Sequence, residues 1–163
     1  MKNHHRKSHR EIVECAGIAL TNNRRVFLIR PFYAKKAQSF AIPKGHVNTD
    51  EDIRDAAIRE FKEETGIDLS RKPIKELTHV YTKISPNKVK RVTVFEVKGT
   101  GKEKFISSID SDCGCPESIY GEYFPFEIAR DFITGYQVPI IEKLSEDDMS
   151  SLSHFYIRRK NHD

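Results

Sequence analysis

Cysteine and long apolar runs are what this chain has least of. Its 163 residues include three cysteines, Cys15, Cys113 and Cys115, too few for a disulfide framework, and Cys113-Gly-Cys115 has too little company for a zinc site. No apolar stretch is long enough to span a bilayer. The opening MKNHHRKSHR holds cations and histidines where a secretory signal would hold its apolar core. These absences lead us to expect a cytoplasmic, reducing setting and no membrane partner. Internal repeats and low-complexity segments are missing as well, and the length suits one domain with its own core.

A net charge of +4 is gathered in HHRKSHR, RKPIK and KVKR, runs that attract phosphate-rich molecules of many kinds. Each is read first as a solvated terminus or loop, with a nucleic-acid surface the less favoured reading. We expect residues 1–10 to be a basic flexible tail, 11–145 the folded domain and 146–163 a polar, loose tail.

Ile12 to Leu20 and Arg25 to Arg30 are apolar, β-prone runs separated by Thr21-Asn22-Asn23-Arg24, and asparagine pairs tolerate tight hairpin turns. A linker, PFYAKKAQSFAIPKGHVN, leads to a helix start. There Thr49 with Asp52 reads as a capping box, and Asp50 and Glu51 suit the positive end of a helix that Gly66 terminates. Leu77 to Lys83 and Lys90 to Val97 read as strands, Gly99 to Ser118 as a long loop. Pro125 to Ile133 and Pro139 to Leu144 read as helices parted at Gly135. The pattern predicts a mixed α/β domain.

Within REFKEETGI, Glu60, Glu63 and Glu64 stand at i, i+3 and i+4, so a helix turns them to one face. Traced backwards, that face holds Ile53, Ala56 and Ala57, an apolar stripe that packs before it ends in acids. In water each like pair costs only about 0.2 to 0.5 kcal/mol, but desolvation steepens the penalty. A divalent cation reverses its sign, and carboxylates of this kind suit Mg²⁺ or Mn²⁺. The triplet alone is equally readable as an exposed acidic face balanced by Arg59 and Lys62.

The flanking residues decide between these. Five residues separate Gly45 from Glu51, seven separate Glu51 from Arg59, and the string closes on Arg59-Glu60-Phe61-Lys62-Glu63-Glu64-Thr65-Gly66-Ile67. A coincidence of seven fixed residues and two apolar sites has a probability of roughly one in ten million for such a chain. Over residues 45–67 the chain resembles the Nudix hydrolases at every specified position. More weakly, PFYAKKAQSFAIPKG and ARDFITGYQVPIIEKL resemble a group of predicted NTP pyrophosphohydrolases in that superfamily, and IPKGH resembles its dinucleoside tetraphosphate hydrolases.

The resemblance implies a Nudix fold, a mixed β-sheet sandwiched between α-helices in an α/β/α arrangement. It implies Mg²⁺-dependent attack of water on a diphosphate linkage, with Glu60, Glu63 and Glu64 and the Gly45 carbonyl as metal ligands. Arg59 would orient the acids, and Glu51 would support the box or serve as a plain helix-end acid. The general base is a box glutamate or a later loop acid, with Glu117 preferred to Glu122 ahead of Tyr123. Lys44 and Arg30 are candidates for phosphate contact, and Phe40, Phe32 or Tyr81 for base stacking, although each aromatic is more often core. His46 is read as a loop residue. No SQPWPFPxS-like motif follows, which demotes NADH as substrate. The leading substrate is a nucleoside triphosphate or dinucleoside polyphosphate. The alternatives are RNA 5′ ends, an inositol pyrophosphate, or a nucleotide sensor that does not cut.

Overall fold

The computed structural model describes residues 9–32, 39–107 and 117–160, with 153–160 as backbone only. The basic segment 1–8 and the Cys113-Gly-Cys115 tripeptide lie outside the described residues. Strands β1 (Glu11–Asn22) and β2 (Arg25–Pro31) form the expected hairpin. Its turn places Asn23 and Arg24 at φ 48° and 59°, the left-handed pair that matches the twist of a two-residue hairpin loop. Arg24 is held there by ion pairs to Asp148 and Glu127.

Four more strands complete the sheet: β3 (Lys44–His46), β4 (Ile74–Ser85), β5 (Lys88–Lys98) and β6 (Ser118–Pro125). Their order is β4-β5-β1-β2-β6, with β3 paired to β1. β1 runs parallel to β5, and the other pairings are antiparallel. Beside the turn β1 pairs with β2, Thr21 with Val26. Farther back β1 takes β3 instead, Ala16 facing Gly45, while Ile29 of β2 bridges Ala41. That wedge between β1 and β2 brings the box loop into the sheet.

One face carries Ala16, Ile18, Leu20, Phe27 and Phe95 under helix α1 (Ile53–Thr65). The other carries Cys15, Ala19, Leu28, Val92 and Val94 under α2 (Phe126–Phe132) and α3 (Val138–Lys160). The result is the expected α/β/α sandwich.

Three expectations are corrected. α1 begins at Ile53, capped by Asp52, whose carboxylate accepts from the Arg54 and Asp55 amides at 2.9 and 3.3 Å. Thr49 is no cap, because Asp50 sits at φ 62° and breaks any helix begun there. Gly66, at φ 80°, ends α1 as expected. The short β3 falls in the segment that reads as a linker, and β6 fills the stretch between the expected loop, which ends at Ser118, and the helix expected from Pro125. β6 contains Gly121, which packs edge-on to the Phe27 ring where a Cβ would crowd it. The chain beyond Ser145 is helical through Lys160. Its polar residues suit a solvated helix face, where Lys143 pairs with Asp147 at 3.3 Å.

Candidate active site

Helix α1 presents its acids by burying the stripe before them. Ala56, Ala57 and Phe61 are fully buried, and Phe61 meets Phe27 with ring centroids 6.1 Å apart. Burial of such a phenylalanine is worth about 1.5 to 3 kcal/mol and fixes the helix on the sheet. The acids on this face differ in depth. The Glu60 side chain is 13% exposed and that of Glu63 48%, with Glu64 partly buried. Glu60 presses on Gly45, where a Cβ would collide with its carboxylate. Any larger residue at that point of β3 would have to displace the Glu60 carboxylate.

Arg59 ties the box together. Its Nε and Nη2 donate to the two oxygens of Glu51 at 2.8 and 2.9 Å, and Nη2 also donates to the His46 carbonyl at 2.9 Å. Nη1 donates to Glu60 at 2.8 Å and to Glu63 at 3.2 Å. Its pKa is raised, chiefly by the hydrogen bonds to Glu51, so the guanidinium is a permanent charge. Glu51, bonded by Arg59 and by the Asn48 amide, is lowered to about 2. It is a brace of the loop, and the cap of α1 is Asp52.

Glu64 is in a different state. Burial pushes its carboxyl up to about 8; the Lys44 charge and amide oppose this, while Glu60 and Glu117 add to it. The Lys44 amide donates to Glu64 Oε2 at 2.8 Å. Lys44 is the nearby cation: burial works against its charge, but Tyr136 and Glu64 outweigh that, and its pKa is raised. Glu60 is raised as well, by burial first, with Arg59 opposing.

Glu51, Arg59, Glu60, Glu63, Glu64, Lys44 and Gly45 are thus gathered at the wedge, with Glu117 near enough to bear on Glu64. Arg30, at the end of β2 opposite Tyr120, has a buried Nε with no hydrogen-bond partner. Phe40 is packed among Phe124, Tyr120 and Phe132, with centroids 5.1 to 6.4 Å away, a core role first. Tyr81 is 54% exposed on the edge strand β4, two strands from β1, and no contact joins it to the acids. Phe32 is exposed. Tyr123 donates to Glu103 at 2.7 Å, and Glu122 hydrogen-bonds Tyr120. Tyr136 and Gln137, which reach the site through Lys44 and Ile42, carry no signal in the sequence: they fall in the gap between the two expected helices.

The donor set suits a divalent cation. Three carboxylates stand within about one helical turn, two are raised by burial and by neighbouring acids, and the hydrogen bond that Glu64 accepts among the described residues comes from the Lys44 amide. Hard oxygen donors short of positive charge fit Mg²⁺ or Mn²⁺. As they stand, no three His, Cys, Asp or Glu side chains among the described residues close around one point, and Arg59 occupies Glu60 and Glu63.

Comparison with known proteins agrees with this fold. The family model described as NUDIX domain matches residues 12–115. No curated protein matches the chain. Among solved structures, the MutT NUDIX hydrolase from Burkholderia pseudomallei superposes with a TM-score of 0.63 at 22% identity, over 82% of this chain and 98% of that one. An Ap4A hydrolase of C. elegans gives 0.63 at 20%, over 85% and 98%. The NUDIX domain of Shewanella oneidensis NrtR, complexed with ADP ribose, gives 0.61 at 13%, over 89% and 94%. At these identities the structures show a shared fold. Among the described residues no helix is long and apolar enough to cross a membrane. With the match running from the opening strand through the acid-bearing helix and beyond, the chain belongs to the Nudix hydrolase family of enzymes.

Proposed function

We propose that this Nudix hydrolase uses Mg²⁺, or Mn²⁺ in its place, to hydrolyse a diphosphate linkage in a nucleoside triphosphate or a dinucleoside polyphosphate. The observation that carries this reading is the packing of two acids at the wedge: Glu60 is drawn from water against Gly45 and Glu64 lies beside it against the Lys44 amide, an arrangement whose charged form is costly unless a cation joins it. Glu60, Glu63 and Glu64, with the Gly45 carbonyl, would hold the ion. When bound, the ion supplies Lewis-acid polarisation of phosphoryl oxygens and neutralises charge on the leaving phosphate, worth several kcal/mol.

The remaining work falls to side chains. Arg59 fixes Glu60 and Glu63 through Nη1 while Glu51 locks its other edge, so the acids keep their spacing without rotamer search. A general base is still needed, and Glu117, whose charge bears on Glu64, would take a proton from the attacking water on a carboxylate oxygen, with a box glutamate as the alternative. Arg30, whose buried Nε has no hydrogen-bond partner among the described residues, is the guanidinium we assign to a substrate phosphate. Three cysteines in 163 residues suit a cytoplasmic, reducing setting.

The test is a panel of nucleoside triphosphates and dinucleoside polyphosphates incubated with Mg²⁺, with products separated by chromatography. Cleavage of at least one substrate, lost on chelation of the ion, is expected. No product from any of them would sink the proposal.

A further inference from the structure

The segment Phe40 to Lys44, which leads into Gly45, is bonded on alternate sides. Odd residues face the sheet: Ala41 exchanges two hydrogen bonds of 2.9 Å with Ile29, and the Pro43 carbonyl accepts from Ile18 at 3.2 Å. Even residues face the connection between α2 and α3. Phe40 donates to the Phe132 carbonyl at 3.1 Å and accepts from Thr134 at 2.8 Å. The Ile42 amide donates to Gln137 Oε1 at 3.0 Å, and the Lys44 side chain hydrogen-bonds the Tyr136 hydroxyl. Gln137 is fully buried in the single 3-10 turn Gly135–Gln137. Its remaining polar group, Nε2, donates to the same Tyr136 hydroxyl at 2.9 Å. The Tyr136 oxygen therefore accepts from Gln137 with the Lys44 side chain beside it.

These contacts form a continuous chain to the acids: the Ile42 amide, Gln137, Tyr136, Lys44, and from the Lys44 amide to Glu64 at 2.8 Å. Buried amides must find partners, and each one here is met by the next member of the chain. A side chain that merely satisfied Ile42 would not also need to seat Lys44. All of the connection lies beyond residue 115, where the family match ends.

We propose that Tyr136 and Gln137 are positioning residues for the hydrolytic site, holding Lys44 and Gly45 in register with Glu64 and Glu60 from outside the box. On this reading Lys44 serves Glu64 as a fixed neighbour and counter-charge, and its main role is positioning. The inference rests on the proposed function above.

Tyr136→Phe removes one hydroxyl from a partly exposed side chain and should leave the protein folded; Gln137→Leu is the more severe second variant. Three readouts are taken on the full chain: kcat and KM with a hydrolysed nucleotide, Mn²⁺ affinity by electron paramagnetic resonance, and hydrogen exchange at the Lys44 amide without metal. Tyr136→Phe should lower kcat about tenfold with KM within about twofold, weaken Mn²⁺ about fivefold, and speed Lys44 exchange about tenfold, all roughly in step with a 1.4 kcal/mol loss. Unchanged exchange and Mn²⁺ affinity in a folded Tyr136→Phe overturns the inference. A raised KM at constant kcat overturns it too, by placing Lys44 on the substrate. A wild-type protein that neither binds Mn²⁺ nor cuts any nucleotide sinks the functional reading first and this one with it, a failure distinct from those two.

Discussion

Glu64 and Glu103 are the same residue drawn partly away from water, yet their carboxyl groups move in opposite directions. Burial pushes Glu103 up, but its partners outweigh that and bring it down to about 2. The Thr100 amide donates to it at 2.7 Å, the Gly101 amide at 3.0 Å and the Tyr123 hydroxyl at 2.7 Å. Glu64 accepts from the Lys44 amide, lies beside two other acids, and is pushed up to about 8. Burial alone therefore does not mark a functional carboxylate. The mark is burial without enough donors, because that deficit is what a cation can meet and what a structural acid has already met from its own loop.

The sharpest way to break this comparison is to remove each charge and read activity and stability together. Glu64→Gln should lower kcat on the order of a thousandfold, about 4 kcal/mol at the transition state. It should leave the metal-free protein at least as stable as wild type near pH 9. Glu103→Gln should do the reverse: kcat within a few-fold, with stability lower by about 2 kcal/mol in urea unfolding. If Glu64→Gln instead unfolds the protein while keeping turnover, the two acids have been assigned the wrong way round.

Stability against pH separates them next. The Glu64 pKa is raised above its ordinary 4.5 to about 8, so the folded state binds that proton more tightly than the unfolded chain does. The contribution is complete below about pH 4.5 and is lost as pH rises toward 8. Glu103 is lowered from 4.5 to about 2; its contribution is present above about pH 4.5 and is lost as pH falls toward 2. Urea unfolding with a chelator should therefore give greatest stability near about pH 5, with decline on both sides. Mg²⁺ should flatten the alkaline limb and leave the acid limb unchanged. A flat alkaline limb in chelator would show that Glu64 is not desolvated.

The comparison also explains how much could be read beforehand. The box residues declare themselves because the family motif fixes residue type and spacing within one helix and its loop, and those intervals are countable. The hairpin and Gly66 are legible for a similar reason: turn and cap conformations demand specific residues locally. Glu103 carried no such signal, since its donors are two amides of its own turn and a tyrosine twenty residues away. Tyr136 and Gln137 were silent too, because their partners Lys44 and Ile42 lie more than ninety residues earlier. The helix start was misplaced by the acids themselves: Asp50, Glu51 and Asp52 all suit a helix end, and only tertiary contacts show that Arg59 claims Glu51. β6 escaped because a strand containing Gly121 and ending in Pro125 lacks clear alternation.

The smallest expected effect tests the donor count behind the comparison. Tyr123→Phe removes one of the hydrogen bonds to Glu103 and keeps the ring, which packs edge-on to Phe27 at 5.4 Å between centroids. Loss of a single charge-assisted bond whose acceptor keeps two amides should cost about 1 kcal/mol in urea unfolding near neutral pH, roughly half the Glu103→Gln effect. The Glu103 carboxyl should rise toward its ordinary value, so the acid limb of the stability profile should begin its fall at higher pH. Turnover should not change. Tyr123 is on β6, the strand that follows Glu117, so a loss of kcat in Tyr123→Phe matching that of Glu64→Gln would mean that the Glu103 turn supports the site through β6. The structural and functional carboxylates would then belong to one cooperative unit.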